Sequence, residues 1–210
     1  MPMRAAVLMI AGAALLAGCN PQPAPPSGEA KSDVVVLDPG ATPTVPHVGA
    51  PALSGFSHAA GVDHFGYFLP NSEVKVGNWK LETLSIGPED EFAKWERGER
   101  TAVYAPVMFE FVDVTSPKQT NELGQEVYSR RVRVLPSAYR VGPNGDLRFT
   151  GRDDQVGDVQ FDGTIDMALL AKARQAGPNA GLNAAPVVKG GLQVGATPFK
   201  NLSFNFFGGD

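Results

Sequence analysis

The sequence predicts a mainly β protein, an antiparallel β-sandwich or small barrel with one or two short helices. After Gly55, turn-forming residues recur at intervals of about ten, and strand-like runs lie between them. Only two stretches have the composition of a helix start, so helices are few. Alternating strands with tight turns are typical of sandwiches and small barrels. We expect this fold in residues 51–210, behind a signal peptide and a disordered linker.

The chain begins with a short basic start followed by an apolar segment. Met1–Arg4 carries the charge, and Ala5–Ala17 is the apolar run. This run is shorter than the roughly 20 residues that a membrane-spanning helix needs. It leads to Leu16-Ala17-Gly18-Cys19, which contains the only cysteine. The order of charge, apolar run and small residues predicts a secretory signal peptide over residues 1–18.

The motif Leu16-Ala17-Gly18-Cys19 resembles the lipobox of bacterial lipoproteins. The resemblance implies that the Cys19 thiol receives a diacylglyceryl group, that the signal peptide is removed before Cys19, and that the new amino group is acylated. Three acyl chains would make this membrane anchor effectively permanent. Asn20 stands where the family's commonest inner-membrane retention signal is an aspartate, which favours the outer membrane of a Gram-negative bacterium. The alternative is a buried thiol in an ordinary signal-anchor segment.

The charge balance and the cysteine count argue against some classes of binding partner and of chemistry. The chain has 18 basic and 22 acidic residues, and loss of Arg4 with the signal peptide leaves 17 against 22. This mildly acidic balance argues against a nucleic-acid partner, which would call for a basic patch or stripe. Once Cys19 is acylated, no thiol remains for a disulfide, for thiol catalysis or for a thiolate metal site.

Residues 19–50 form a linker rich in Pro, Ala, Gly and Ser. Such a composition buries too little apolar surface to offset the entropy of ordering, which predicts an extended and mostly disordered spacer. Val34–Leu37 is an exception, because this β-branched run before Asp38-Pro39-Gly40 predicts a short strand. We interpret it as the first strand of the domain. The alternative is a sticky segment that awaits a partner.

The domain is predicted to open with a hairpin and a short helix. Gly77-Asn78 separates the run that ends at Val76 from a strand over Trp79–Ile86. Gly87-Pro88 and the three acids that follow have the pattern of a helix start, and Gly98 can end the helix. The helix places two aromatic residues on one face, for core packing or, as the alternative, for a ligand pocket. These residues are Phe92 and Trp95.

The longest strand signal covers Thr101–Val114. Its alternation places Val103 on the same inward face as Phe109. Pro106 cannot donate to a ladder of hydrogen bonds, which predicts a bulge or an edge position for this strand. Val127–Leu135 is predicted to be the next strand.

Four arginines in and after that strand form the only basic concentration of the chain. Guanidinium groups suit phosphate or carboxylate, so they could bind lipid A, another anionic lipid or a glycan acid. The favoured alternative is that they pair with acids on neighbouring strands, each exposed pair contributing less than about 1 kcal/mol. The arginines are Arg130, Arg131, Arg133 and Arg140, of which the first three are the predicted ligand-binding residues. The acids are Glu110, Asp113 and Glu126.

The remainder of the domain is predicted to contain a hairpin, a strand, a helix and two more strands. Asn144-Gly145 is the clearest turn, between Tyr139–Val141 and Leu147–Phe149. Asp166 is placed to cap a helix that Gly177-Pro178 ends. The three strands are Val159–Ile165, Pro186–Val194 and Phe199–Phe207.

Catalytic chemistry has little support, and the sequence predicts no catalytic residue, cofactor or metal. Phosphate-binding loops, nucleophile elbows and metalloprotease motifs are missing. The acids between Asp153 and Asp166 lack the spacing of a calcium loop, which favours a solvated loop and strand edge. His47 lies in the linker. His58 and Asp63-His64 near the domain entrance are the remaining acid-base candidates.

Two functions follow from these observations. The favoured hypothesis is a membrane-anchored lipoprotein of the cell envelope, whose β-rich domain binds or scaffolds an envelope protein, a lipid or a glycan. The alternative is an envelope hydrolase acting on glycan or peptide, and it requires His58, Asp63 or His64 to meet further acids in a concave pocket.

Overall fold

A computed structural model of the protein describes residues 52–177 and 185–208. The chain divides into two units, Met1–Thr42 and Pro43–Asp210, and every described residue belongs to the second. The predicted signal peptide, the Cys19 motif, the linker and the strand at Val34–Leu37 therefore lie outside the described residues.

The described residues form thirteen strands and two helices. The strands are β1 (Phe56–His58), β2 (Gly66–Pro70), β3 (Lys75–Val76), β4 (Trp79–Ile86), β5 (Val107–Asp113), β6 (Lys118–Thr120), β7 (Glu126–Tyr128), β8 (Arg131–Val134), β9 (Pro136–Val141), β10 (Asp146–Asp153), β11 (Gly157–Ile165), β12 (Val188–Val194) and β13 (Thr197–Phe207). The helices are α1 (Glu89–Glu96) and α2 (Met167–Ala176).

One large sheet contains all of these strands except β6 and β7, which form a separate hairpin. Its strand order is β1-β9-β10-β11-β12-β13-β2-β4-β5-β8, and β3 pairs with β4. Every pair is antiparallel apart from β1 and β9, which are parallel. The predicted mainly β, antiparallel fold with two short helices is therefore confirmed.

The large sheet curls into a half-barrel. Leu135 alone separates β8, at one end of the pairing order, from β9, near the other end. Strand β8 pairs with β5, and β9 pairs with β10. The chain from Arg131 to Val141 therefore connects the two sides of the curl. Of the two predicted architectures, the structure is closer to the small barrel than to the sandwich.

Both helices begin and end near the predicted residues. Pro88 is the N-cap of α1, and Gly98 has a positive φ of 94° just after it ends. The Asp166 carboxylate caps α2 by accepting a hydrogen bond from the Leu169 backbone N–H at 2.9 Å, and Gly177 is the C-cap. Phe92 and Trp95 are 2% and 6% exposed, so α1 covers the core with its aromatic face, as the core-packing interpretation predicts.

Aromatic rings fill the concave side of the curled sheet. The ring of Phe109 lies 4.9 Å from that of Phe149 and 5.6 Å from that of Phe161, which in turn lies 5.9 Å from that of Phe204. All four side chains are at most 3% exposed. Edge-to-face contacts between aromatic rings add about 0.5–1.5 kcal/mol per pair beyond the burial of apolar area.

Two glycines make room for the Phe161 ring. Gly163 on β11 and Gly190 on β12 are register partners. A Cβ atom on either glycine would lie 2.6 Å or 2.7 Å from the ring's Cζ atom, which is closer than real Cβ contacts. The absence of a side chain at these two positions is therefore a packing requirement.

The predicted strand over Thr101–Val114 is wrong in its first six residues, because β5 begins only at Val107. The Thr101 hydroxyl donates to the Tyr104 carbonyl at 2.9 Å and accepts from the Tyr104 N–H at 3.0 Å, which holds a turn. Val103 is consequently 65% exposed instead of facing inward. Pro106 precedes the strand, so it causes neither a bulge nor an edge position, and the register shift lies on β4.

The predicted strand over Val127–Leu135 is also wrong, because two strands of different sheets share it. The N–H groups between β7 and β8 bond to a turn: the Ser129 N–H donates to the Pro117 carbonyl at 2.9 Å, and the Arg130 N–H donates to the Ser116 hydroxyl at 3.3 Å. The side-chain alternation alone does not show this change of partner. Of the remaining predicted strands within the described residues, β9 begins three residues earlier and β10 ends four residues later than predicted, and the others differ by at most two residues at either end.

Candidate functional site

Arg130, Arg131 and Arg133, the predicted ligand-binding residues, all contact acidic side chains. Arg131 and Arg133 both bond to Glu110, at 2.7 Å and 2.8 Å. Arg130 bonds to Asp113 at 3.1 Å. The favoured interpretation of cross-strand ion pairs is therefore confirmed for Glu110 and Asp113. Glu126, the third acid considered, lies 3.6 Å from Lys118 instead.

The cluster around Glu110 balances two carboxylates against two guanidinium groups. Arg131 also lies 3.8 Å from Glu82, on the neighbouring strand β4. Burial raises the pKa of the Glu82 carboxyl above its usual value, Glu110 adds to the rise, and Arg131 opposes it. Because each guanidinium already faces a carboxylate, this cluster has little capacity left for an anionic ligand.

Arg140 lies in a different environment from the other three arginines. It is on β9, where its register partner across the hairpin is Arg148 of β10 and its register partner on β1 is Ser57. Arg148 in turn faces Asp162 of β11, and the Arg148 Nε atom lies 3.4 Å from Asp162 Oδ2. Arg140 is exposed and makes no ion pair with another described residue.

Ser57, Arg140 and Arg148 border a cleft at the β1 end of the large sheet. The cleft has a volume of about 430 Å³ and opens to solvent. Its lining includes Ser54, Ser57, Arg140, Gly142 and Arg148. We call it the Arg140 cleft. Two guanidinium groups and two hydroxyl groups on one rim can donate hydrogen bonds to an acidic ligand.

Arg140 does not lie beside the three arginines with which the sequence analysis grouped it. Separation along the chain placed it near Arg133, although the two residues lie on strands that pair with different partners. The turn at Asn144-Gly145 was the signal that could have identified its neighbour. A tight turn centred on Asn144 sets Arg140 opposite Arg148.

His58, an acid-base candidate, is part of a cluster under α1. Its Nδ1 atom is 2.9 Å from Glu96 Oε1, which also accepts a hydrogen bond from the Tyr139 hydroxyl at 3.1 Å. The imidazole ring stacks on Phe92 at 4.7 Å. Burial raises the pKa of the Tyr139 hydroxyl, and the nearby Glu96 carboxylate raises it further. His58 also lines the Arg140 cleft, but its Nε2 atom is buried without a partner among the described residues.

Asp63 and His64 are adjacent in the chain, but they have separate structural roles. The Asp63 carboxylate bonds to Arg174 of α2 at 3.1 Å, which ties that helix to the loop before β2. His64 is 2% exposed, and burial lowers the pKa of its imidazole below 6.5. Backbone hydrogen bonds at Gly142 and Val62 oppose part of this shift. The structure therefore does not bring the three acid-base candidates together.

The acidic stretch has structural contacts in the loop and strand edges where it was expected. Asp158 bonds to Arg152 at 2.9 Å, and Asp153 accepts the backbone N–H of Gln155 at 2.8 Å. Asp166 caps α2. Within residues 52–177 and 185–208, no three His, Cys, Asp or Glu side chains are grouped as a metal site would require.

The described part of the chain also contains no helix with the length and apolar character of a membrane span. The chain matches no family model, no curated protein and no solved structure at a significant level.

Proposed function

We propose that this protein is a lipid-anchored component of the cell envelope, at the outer membrane, whose β-rich domain is a non-enzymatic binding or scaffolding module. The observation that carries the proposal is Leu16-Ala17-Gly18-Cys19 behind a basic and apolar leader. The cysteine of this motif would bear the acyl chains. Asn20, in the position after it, favours the outer membrane.

The geometry of the domain supports binding more than catalysis. His58 pairs with Glu96, Asp63 pairs with Arg174, and His64 is buried. The concave side of the sheet is filled by aromatic rings, so a ligand would contact the outer surface of the domain. A hydrolase acting on glycan or peptide is the second candidate. His58 pairs with Glu96, but its Nε2 atom, which would act on a substrate, is buried, and Asp63 pairs with Arg174 instead.

The anchor is tested by expressing the full chain in a Gram-negative bacterium and measuring its intact mass and its membrane fraction. We expect a mature chain that starts at acylated Cys19 and sediments with the outer membrane. Cys19→Ser should lose the acyl mass and leave that fraction. Asn20→Asp is the matched control, because it should keep the acyl mass while moving to the inner membrane. Wild-type protein with a bare Cys19 thiol would contradict the anchor.

The binding role is tested by native mass spectrometry of the full chain extracted from cells in a non-ionic detergent. We expect a ligand or partner bound in stoichiometric amount. It should be absent from extracted protein that has been unfolded in urea and refolded on its own. A spectrum with only the free chain, from cells where the protein sits at the outer membrane, would contradict a binding role and leave the anchor intact.

A further inference from the structure

Four neighbouring strands of the large sheet place polar side chains in one row on its outer surface. The register runs from Ser57 on β1 to Arg140 on β9, Arg148 on β10 and Asp162 on β11. Directly opposed residues of an antiparallel pair have Cβ atoms about 4.5–5.5 Å apart. The two arginines are therefore close neighbours, and the row ends in a hydroxyl on one side and in a carboxylate on the other.

Like charges in directly opposed positions destabilise a sheet. The Asp162 carboxylate offsets one of the two positive charges and holds Arg148 in place. Arg140 has no such partner among the described residues. The row therefore keeps a net charge of about +1, counted from two guanidinium groups and one carboxylate. This differs from the balanced cluster around Glu110.

The Arg140 cleft gives an anion access to both guanidinium groups. It holds about 430 Å³, which is more than one phosphate group needs and leaves room for a substituent. The hydroxyl groups of Ser54 and Ser57 lie on the same lining. Planar guanidinium groups donate paired hydrogen bonds to phosphate oxygens, and hydroxyl groups add single ones.

We propose that the Arg140 cleft binds the phosphate group of a phosphate-bearing lipid or small molecule, with Arg140 as the main contact. Arg148 supplies the second guanidinium, oriented by Asp162, and the Ser57 hydroxyl donates from β1. This inference rests on the proposed binding function and names its ligand chemistry. The lining also includes apolar residues, so the cleft can accommodate an apolar substituent beside the phosphate group.

The test is isothermal titration calorimetry on the full chain in maltoside micelles and phosphate-free buffer. The probes are inorganic phosphate, glycerol phosphate and dihexanoyl phosphatidic acid. We expect saturable binding of at least one probe, weakened at least tenfold by Arg140→Gln. Arg140→Lys should give an intermediate loss, since it keeps the charge and loses the planar fork.

Arg152→Gln is the matched control, because Arg152 is an exposed arginine of the same strand as Arg148 and lies outside the cleft lining. It removes the same charge and should weaken binding less than twofold. Absence of binding by wild-type protein, or an equal loss in Arg152→Gln, would overturn the proposal. The thermal midpoint of Arg140→Gln should be unchanged or higher, which separates lost binding from unfolding.

The three probes distinguish the source of the phosphate. Similar affinities for all three would assign the cleft to the phosphate group alone. Tenfold tighter binding of phosphatidic acid than of glycerol phosphate would assign it to a lipid headgroup. Membrane fractionation of the wild-type protein separates this inference from the anchor. Wild-type protein that is attached to the membrane but binds none of the three probes overturns the cleft alone. Wild-type protein that binds a probe but is not attached to the membrane overturns the anchor alone.

Discussion

Gly190 shows how closely the core specifies single residues. Its missing Cβ would lie 2.5 Å from the Asp162 carbonyl oxygen and 2.8 Å from the Gly163 Cα atom, as well as against the Phe161 ring. Two of these three neighbours are backbone atoms, which cannot move without shifting β11. Close-packed interiors resist such insertions because the surrounding structure adjusts only partly.

We predict that Gly190→Ala lowers the free energy of unfolding by about 2–3 kcal/mol through overpacking. Gly191→Ala is the matched control on the same strand, because the nearest atom to its added Cβ is the Phe199 carbonyl oxygen at 3.6 Å. It should change stability by less than about 1 kcal/mol. Urea denaturation of the two variants and the wild type measures the difference. Equal losses in both variants would refute the packing role of Gly190.

His64 makes the stability of the domain depend on pH. Burial lowers the pKa of its imidazole below the 6.5 of an exposed histidine, so the folded state binds fewer protons than the unfolded state under mildly acidic conditions. The stabilising effect is complete above pH 6.5 and is lost as the pH falls from 6.5 through the folded-state pKa.

We predict that the free energy of unfolding decreases between about pH 7.5 and about pH 5.5, by about 1.4 kcal/mol for each unit of the histidine's pKa shift that this range covers. His64→Gln should flatten this dependence, since glutamine keeps a hydrogen-bonding side chain and does not titrate. Urea titrations at several pH values provide the measurement. An unchanged slope in His64→Gln would assign the dependence to another group.

At the scale of elements, the Asp166 cap defines the start of α2. Its carboxylate satisfies the Leu169 N–H, one of the four N–H groups that a helix start leaves without a partner. The negative charge is also favourable at the positive end of the helix dipole. The helix packs Leu170 and Ala173 against the core, so loss of the cap would weaken the packing of these two residues.

We predict that Asp166→Ala lowers the free energy of unfolding by about 1 kcal/mol, and that Asp166→Asn costs less because an amide oxygen can still cap. Asp154→Ala is the comparison, as an exposed aspartate with no helix to cap. Thermal or urea unfolding of the three variants is the measurement. An Asp154→Ala loss as large as that of Asp166→Ala would contradict the capping role.

Elements that depend on local chemistry could be predicted from the sequence, and their pairing partners could not. The turn at Asn144-Gly145 and both helices follow from nearby residues, and the structure confirms them. The turn held by Thr101 depends on a side-chain hydrogen bond that competes with the strand.

Only part of the candidate site could be predicted from the sequence, because its residues are brought together by strand pairing. Arg140 was noticed as a basic residue, but its position beside Arg148 depends on the hairpin register, and Ser57 joins them through the parallel pairing of β1 with β9. A parallel pair between residues so far apart in the chain has no local signal. Clustering by sequence distance therefore selected the neutralised arginines.

At the scale of the whole molecule, the described domain has one hydrophobic core. Trp95 belongs to this core, and Trp79 packs against it from the start of β4. A single contiguous core predicts cooperative unfolding, because no part can lose its packing without exposing the rest. The two tryptophans report on different elements, α1 and β4, so they can test this.

Trp79→Phe and Trp95→Phe each leave one tryptophan. We predict that, in each variant, the unfolding transition seen by tryptophan fluorescence coincides with the transition seen by far-ultraviolet circular dichroism. Equilibrium urea unfolding of the full chain measures both signals. A fluorescence midpoint that differs from the circular dichroism midpoint in either variant would show that α1 or the β4 hairpin unfolds independently.

The pairing of β2 with β13 sets a condition on when the domain can fold. Phe68 of β2 pairs with Phe206 of β13, so the second strand of the domain depends on the last strand described. During synthesis or passage through a secretion channel, β2 has no partner on that side until residues near 206 have emerged. Export as proposed above would therefore carry the polypeptide across a membrane as a loose chain, which completes its sheet only after release.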